Sequence, residues 1–119
     1  MGGIYSSEWY WAKALHIFRQ DPAVKAATYS WVEHCDWMTA LMCGTTHPSQ
    51  LQMGRCATGH KLMWNEAWNG FPPNDFFTSV DPLLDGLVDT LNPATQTSDQ
   101  VAGELTAEWS EKLHAGDNR

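Results

Sequence analysis

At 119 residues, with 43% apolar and 18% charged side chains, the chain has the size and balance of one packed domain, 1–119, and not of a disordered tail. It has no run of about 18 apolar residues, and Met1 to Ser7 show neither a basic start nor an apolar stretch, which points to a soluble cytoplasmic protein without a membrane partner. The net charge of −7 is one-sided: positions 1–70 balance five acids against five bases, whereas 71–119 carry nine acids against Lys112 and Arg119, a surface that disfavours nucleic acid and suits a basic protein partner.

Strand signals are nearly absent, so the elements read as helices. The first is expected from Ser7, as N-cap, to Arg19 or Gln20, where Asp21-Pro22 stops it. Asp21 then caps a second helix that starts at Pro22 and runs to Cys43, with Gly44 as its left-handed close. A third begins near Pro48 and Ser49 and fades at Asn69-Gly70. Helix two carries Val24, Ala27, Trp31, Cys35, Met38 and Met42 in one stripe, leaving Tyr29, Glu33 and Asp36 outward; helix three carries Met53, Cys56, His60, Met63 and Ala67. A short loop makes these two an antiparallel hairpin, with Cys35 opposite Cys56 and Met38 opposite Met53. Asn69 to Asn74 divides the chain. Beyond it come a helical turn at Asp75–Ser79, a helix from Asp81-Pro82 to Asn92-Pro93, and a last helix opened by a Thr97 and Gln100 capping box, with Val101, Leu105, Trp109 and Leu113 inward and Lys112 and His114 near its end. The residues after it, Gly116 to Arg119, read as a frayed tail.

The expected fold is therefore all-α: a compact bundle of four main helices plus a short one, built on the central hairpin of residues 22–69.

Three cysteines and three of the five histidines lie between His34 and His60, the one concentration of reactive side chains. Cys43-x3-His47 and Cys56-x3-His60 repeat a spacing that would suit tetrahedral zinc, but the hairpin keeps the two pairs about 12 Å apart along the axis. The register instead gathers Cys35, Cys56, His34, His60, Met38 and Met53, a soft donor set for copper or zinc, whose bland alternative is a core of buried thiols and thioethers. Trp9, Tyr10 and Trp11 spread over about 200° of helix one, so at least one is expected to meet a loop, water or a partner. Asp81, Asp85 and Asp89 recur every four residues as an acidic row. A calcium loop over Asp81–Asn92 fails because Leu83 and Asn92 stand where ligands are needed. Cys43 with His47 has the residue types of thiol catalysis but nothing to orient the imidazole. Phosphate loops, dinucleotide fingerprints and zinc-protease signatures are absent.

The reading is a protein-interaction module without catalysis of its own, an accessory subunit, inhibitor or assembly factor. It would bind a protein partner, or a second copy, through Trp9, Tyr10, Trp11, Asp81, Asp85 and Asp89. The alternative is a copper or zinc protein using the sulfur and imidazole cluster; otherwise no cofactor is expected.

Overall fold

Residues 3–113 are described by a computed structural model. His114 and the expected tail, Gly116 to Arg119, lie outside them. Among the described residues there are six α-helices: α1 (Tyr10–Gln20), α2 (Pro22–Ala27), α3 (His34–Cys43), α4 (Arg55–Lys61), α5 (Asn74–Val80) and α6 (Ala107–Lys112). Two strands of two residues, β1 (Met53–Gly54) and β2 (Thr95–Gln96), pair in parallel, Met53 with Thr95 and Gly54 with Gln96.

Local punctuation sets the first boundaries. The Asp21 carboxylate accepts from the backbone N–H groups of Ala23 and Val24, both at 3.1 Å, while Pro22 occupies the first position of α2. The expected helix 22–43 does not persist, because Thr28 to Val32 is a run of hydroxyl, aromatic and β-branched residues with weak helix preference and better partners elsewhere. Thr28 Oγ1 donates back to the Val24 carbonyl at 2.6 Å, Ser30 and Thr90 hydroxyls meet at 2.7 Å, and the Tyr10 hydroxyl donates to the Trp31 carbonyl. The chain resumes as α3 and closes at Gly44 in the left-handed region, φ 73°.

The expected third helix, Pro48 to Asn69, contracts to α4 and a three-residue 3-10 turn at Glu66–Trp68. Met53 and Gly54 are drawn into the strand pair, and the Gly54 N–H goes to Asp36 Oδ1 at 3.0 Å. Two links still run antiparallel between α3 and this stretch, Asp36 to Gly54 and Glu33 to Lys61. The expected helix 81–92 becomes two 3-10 turns, Pro82–Leu84 and Val88–Thr90. Between them Gly86 takes φ 78°, and the Asn74 side chain clamps the break, accepting from Gly86 N at 2.9 Å and donating to Asp85 Oδ1 at 2.7 Å. Thr97 N does donate to Gln100 Oε1 at 3.0 Å, yet no helix follows. Gly103 interrupts at φ 153°, pressed so close to α3 that an added Cβ would lie 3.1 Å from Cys43 Sγ. Only α6 forms, capped by the Thr106 hydroxyl on Trp109 N at 3.3 Å.

The core joins Tyr10, Trp11, Ala14 and Phe18 of α1 to Leu51, Leu62, Phe77, Leu84, Leu87 and Leu91. This is not a plain helical bundle: the helices are short, a parallel strand pair links residues 53–54 to 95–96, and irregular segments fill the core between them. The Cα radius of gyration, 16.2 Å, exceeds the about 13.5 Å of a compact chain of this length.

Candidate functional site

Two places gather polar chemistry. The first is a cleft of about 520 Å3 bounded by α3, β1, the head of α4 and the segment after β2, with Asp36, Gln52, Arg55, Gln96, Ser98 and Gln100 in its walls. Asp36 is only 6% exposed. Its Oδ1 holds the Gly54 N–H, but Oδ2, like Gln52 Oε1, is buried with no hydrogen-bond partner among the described residues. Burial pushes the Asp36 carboxyl above its ordinary range; the Gly54 N–H draws it partly back, the nearby Glu33 charge raises it again, and the adjacent Cys35 thiol and the Lys61 charge lower it. Arg55 is committed elsewhere, donating to the Thr95 hydroxyl at 3.0 Å and the Thr95 carbonyl at 3.4 Å with its guanidinium 5.2 Å from the Trp64 ring.

The second place lies where Glu33, at the start of α3, meets Lys61, at the end of α4, with N and O 3.4 Å apart. The Tyr5 hydroxyl donates to the Lys61 carbonyl and accepts the Trp11 N–H at 3.0 Å. Desolvation pushes the Tyr5 phenol up to about 12 against the pull of the Trp11 N–H, and the Glu33 charge adds to it. Tyr10, more deeply buried, is raised further for the same leading reason. Both phenols therefore stay protonated and act as fixed donors. The two places share charges, since Glu33 and Lys61 both act on Asp36.

The residues singled out in the sequence are dispersed. Tyr10 and Trp11, at 2% and 4% exposure, belong to the core, and Trp9 is half-buried between Tyr5 and His60, with ring centroids 5.1 and 4.8 Å away. Three adjacent aromatics are thus accommodated inside the fold, because α1 is covered on two sides by residues 5 and 60–64 and by α5. The acidic row dissolves with its helix. Asp81 pairs with Arg19 at 2.6 Å and accepts from Leu83 N, Asp85 is held by Asn74, and Asp89 is exposed.

For the metal cluster, Met53 is core, Met38 is half-buried, and His34, Cys35, Cys56 and His60 are exposed; among the described residues no three His, Cys, Asp or Glu side chains converge as a cation would require. The Cys35 thiol is pushed up by desolvation and then by Asp36, the opposite of what a thiolate ligand needs. Asp36, expected outward, and its neighbour Gln52 are what the sequence reading missed. The available signal was an acid in the first turn of a helix starting at His34, which that reading lost by running the helix through from Pro22.

Among the described residues no helix is long and apolar enough to cross a membrane. No family model matches the chain, and no solved structure matches it either. Curated proteins do. The chain is 48% identical over 113 residues to a ribulokinase of Vibrio parahaemolyticus, the match covering 95% of this chain and 20% of that protein. It is 37% identical over 113 residues to a ribulokinase of Shouchella clausii, covering 94% and 19%, and 33% identical over 112 residues to one of Bacillus licheniformis, covering 93% and 19%. The chain thus spans about one fifth of the length of the curated relatives it matches. These matches overturn both functional readings of the sequence, the non-enzymatic interaction module and the copper or zinc protein, since nearly the whole chain aligns with part of proteins named as kinases.

Proposed function

We propose that this chain is a stretch of a ribulokinase-type sugar kinase and serves as part of its framework. The observation that carries the reading is the 48% identity over 113 residues with the Vibrio parahaemolyticus ribulokinase, an identity spread over 95% of the chain and so not the product of one shared motif. Phosphoryl transfer is mostly positioning and charge stabilisation, done by loops that cradle phosphates and by a base beside the accepting hydroxyl. This sequence has no glycine-rich phosphate loop. The nucleotide contacts are therefore assigned to the four fifths of a ribulokinase that this chain does not match, and the chain alone is expected to phosphorylate nothing. A cytoplasmic setting, with its supply of nucleoside triphosphate and its reduced thiols, suits both this reading and the free cysteines.

The test is a chimera in which the matched stretch of the Vibrio parahaemolyticus ribulokinase is replaced by the corresponding residues of this chain. Ribulose-dependent consumption of ATP within about tenfold of the parent enzyme is expected, a loss of no more than about 1.4 kcal/mol in the barrier. A chimera that folds but does not turn over ribulose would refute the assignment.

A further inference from the structure

Asp36 Oδ2 and Gln52 Oε1 are both buried, closed to water and without a donor among the described residues. They belong to one place. Gln52 stands two residues before Gly54, so the alternation of extended backbone puts both on the same side, and a Cβ at Gly54 would lie 3.5 Å from Asp36 Oδ1. Both side chains also line the cleft bounded by α3 and β1. Two oxygen acceptors sealed together repel unless a hydrogen lies between them, and leaving either unmet is costly. The Gly54 N–H already occupies Oδ1, and no water reaches Oδ2 or Oε1, so the hydrogen has to come from the pair itself. Each partner can supply one, the carboxyl as Oδ2–H and the amide as Nε2–H.

We propose that Asp36 and Gln52 form a pH-sensitive switch in the wall of the cleft: protonated Asp36 donates Oδ2–H to Gln52 Oε1, and ionised Asp36 accepts Nε2–H from the same amide turned by half a rotation. On ionisation the Oδ2–H bond breaks, the proton passes to solvent and the electron pair stays on Oδ2. The Gly54 N–H remains on Oδ1 in both states, so α3 and β1 stay joined. What changes is the lining of the cleft. Gln52 is half-buried with Oε1 as its closed end, so in acid it shows the cleft a donor, its NH2 group, and at higher pH an acceptor, its carbonyl. The charged and titratable groups around the carboxyl are Glu33 and the Cys35 thiol on α3, and Lys61 and Arg55 on α4, Arg55 being held by Thr95. Gln96, Ser98 and Gln100 across the cleft are neutral. Burial raises the titration of Asp36, which brings the change into less acidic solution than an exposed carboxyl would allow. The switch stands independently of the kinase reading.

Side-chain NMR of the chain between about pH 3 and pH 8 tests this, following the Asp36 carboxyl carbon and the Gln52 amide protons. The two are expected to move with one midpoint, and the Gln52 N–H protons to exchange at least ~10-fold more slowly above it. Gln52 signals unchanged through the Asp36 midpoint, the behaviour of a fixed amide, would overturn the proposal. Asp36→Asn supplies Oε1 with a permanent donor, so the pH response of Gln52 should vanish; a response that persists would overturn it equally. Gln52→Met keeps the length of the side chain and removes both partners. The ionised carboxyl then loses a charge-assisted bond and the protonated one only a neutral bond, so the proton affinity of Asp36 should rise about fivefold. An unmoved or lower midpoint in this variant would refute the turning of the amide, and the switch with it.

Discussion

The indole N–H of Trp11 donates to the Leu62 carbonyl at 2.9 Å, fastening the first turn of α1 to the residue that closes α4, 51 positions later. The same ring lies 4.0 Å from Phe77 of α5. One side chain therefore joins three parts of the chain that share no regular sheet or bundle. Trp11→Phe keeps most of the apolar contact but leaves the Leu62 carbonyl unmet, and should lower unfolding free energy by about 1–3 kcal/mol in urea titration. Trp11→Ala should cost about 3–5 kcal/mol. Trp68→Ala, at 61% exposure, should stay within about 0.5 kcal/mol of the parent. If Trp11→Phe matched Trp68→Ala, the indole bond would carry no weight.

Tyr5 stabilises the same junction from the other side. Its hydroxyl accepts the Trp11 N–H, one of the donors that the first turn of a helix leaves without an internal partner, and donates to the Lys61 carbonyl. Tyr5→Phe removes both, an expected loss of about 1–3 kcal/mol. The phenol is raised from 10.0 to about 12, so the native state holds this proton more tightly than the unfolded chain. Its contribution is whole below pH 10 and disappears as pH rises towards 12. Alkaline unfolding followed by circular dichroism should therefore begin at lower pH in the parent relative to its neutral stability than in Tyr5→Phe. Superimposable normalised curves would dismiss the role of this proton.

The boundaries legible in the sequence were those set by neighbours in the chain. Asp21-Pro22 and Gly44 end helices where expected, because capping and left-handed geometry act within a few residues. The long helix 22–43 failed because its apolar periodicity was coincidental. Val24 is 38% exposed, Cys35 is exposed, and Trp31 reaches Phe18, rings 5.9 Å apart, from an extended segment and not from a helical face. The cleft escaped for a related reason. Asp36 is buried by residues 52–54 and approached by 96–102, and no local pattern announces a contact made across that separation.

Gly103 tests one such long-range approach. At φ 153° a side chain is strained, and a Cβ there would meet Cys43 Sγ at 3.1 Å and Cys43 Cβ at 3.3 Å. Gly103→Ala should destabilise by about 1–3 kcal/mol, the range for a residue forced into a sparsely populated backbone region. Adding Cys43→Ala removes the sulfur contact but not the backbone strain, so thermal melting of the double variant should recover part of the loss. Complete recovery would mean that the φ angle costs nothing, and none would mean that the sulfur contact is irrelevant.

Asp36 gives a pH dependence of definite sign. Burial raises its carboxyl above the ordinary 3.8, so just above that value the native state binds more protons than the unfolded chain. Stability from this group must then fall as pH rises from 3.8 through the raised native value, and become level beyond it. Asp36→Asn keeps an oxygen for the Gly54 N–H and removes the titration. Urea midpoints of parent and variant, compared between about pH 4 and pH 7, should diverge in favour of Asn as pH increases. Asp81, lowered by the Leu83 N–H and by Arg19, Asp99, lowered by Thr97, and Glu108, lowered by Lys112, act in the opposite sense and at more acidic pH, where parent and variant lose stability together. A gap between the two proteins that did not change with pH would contradict the burial of this carboxylate.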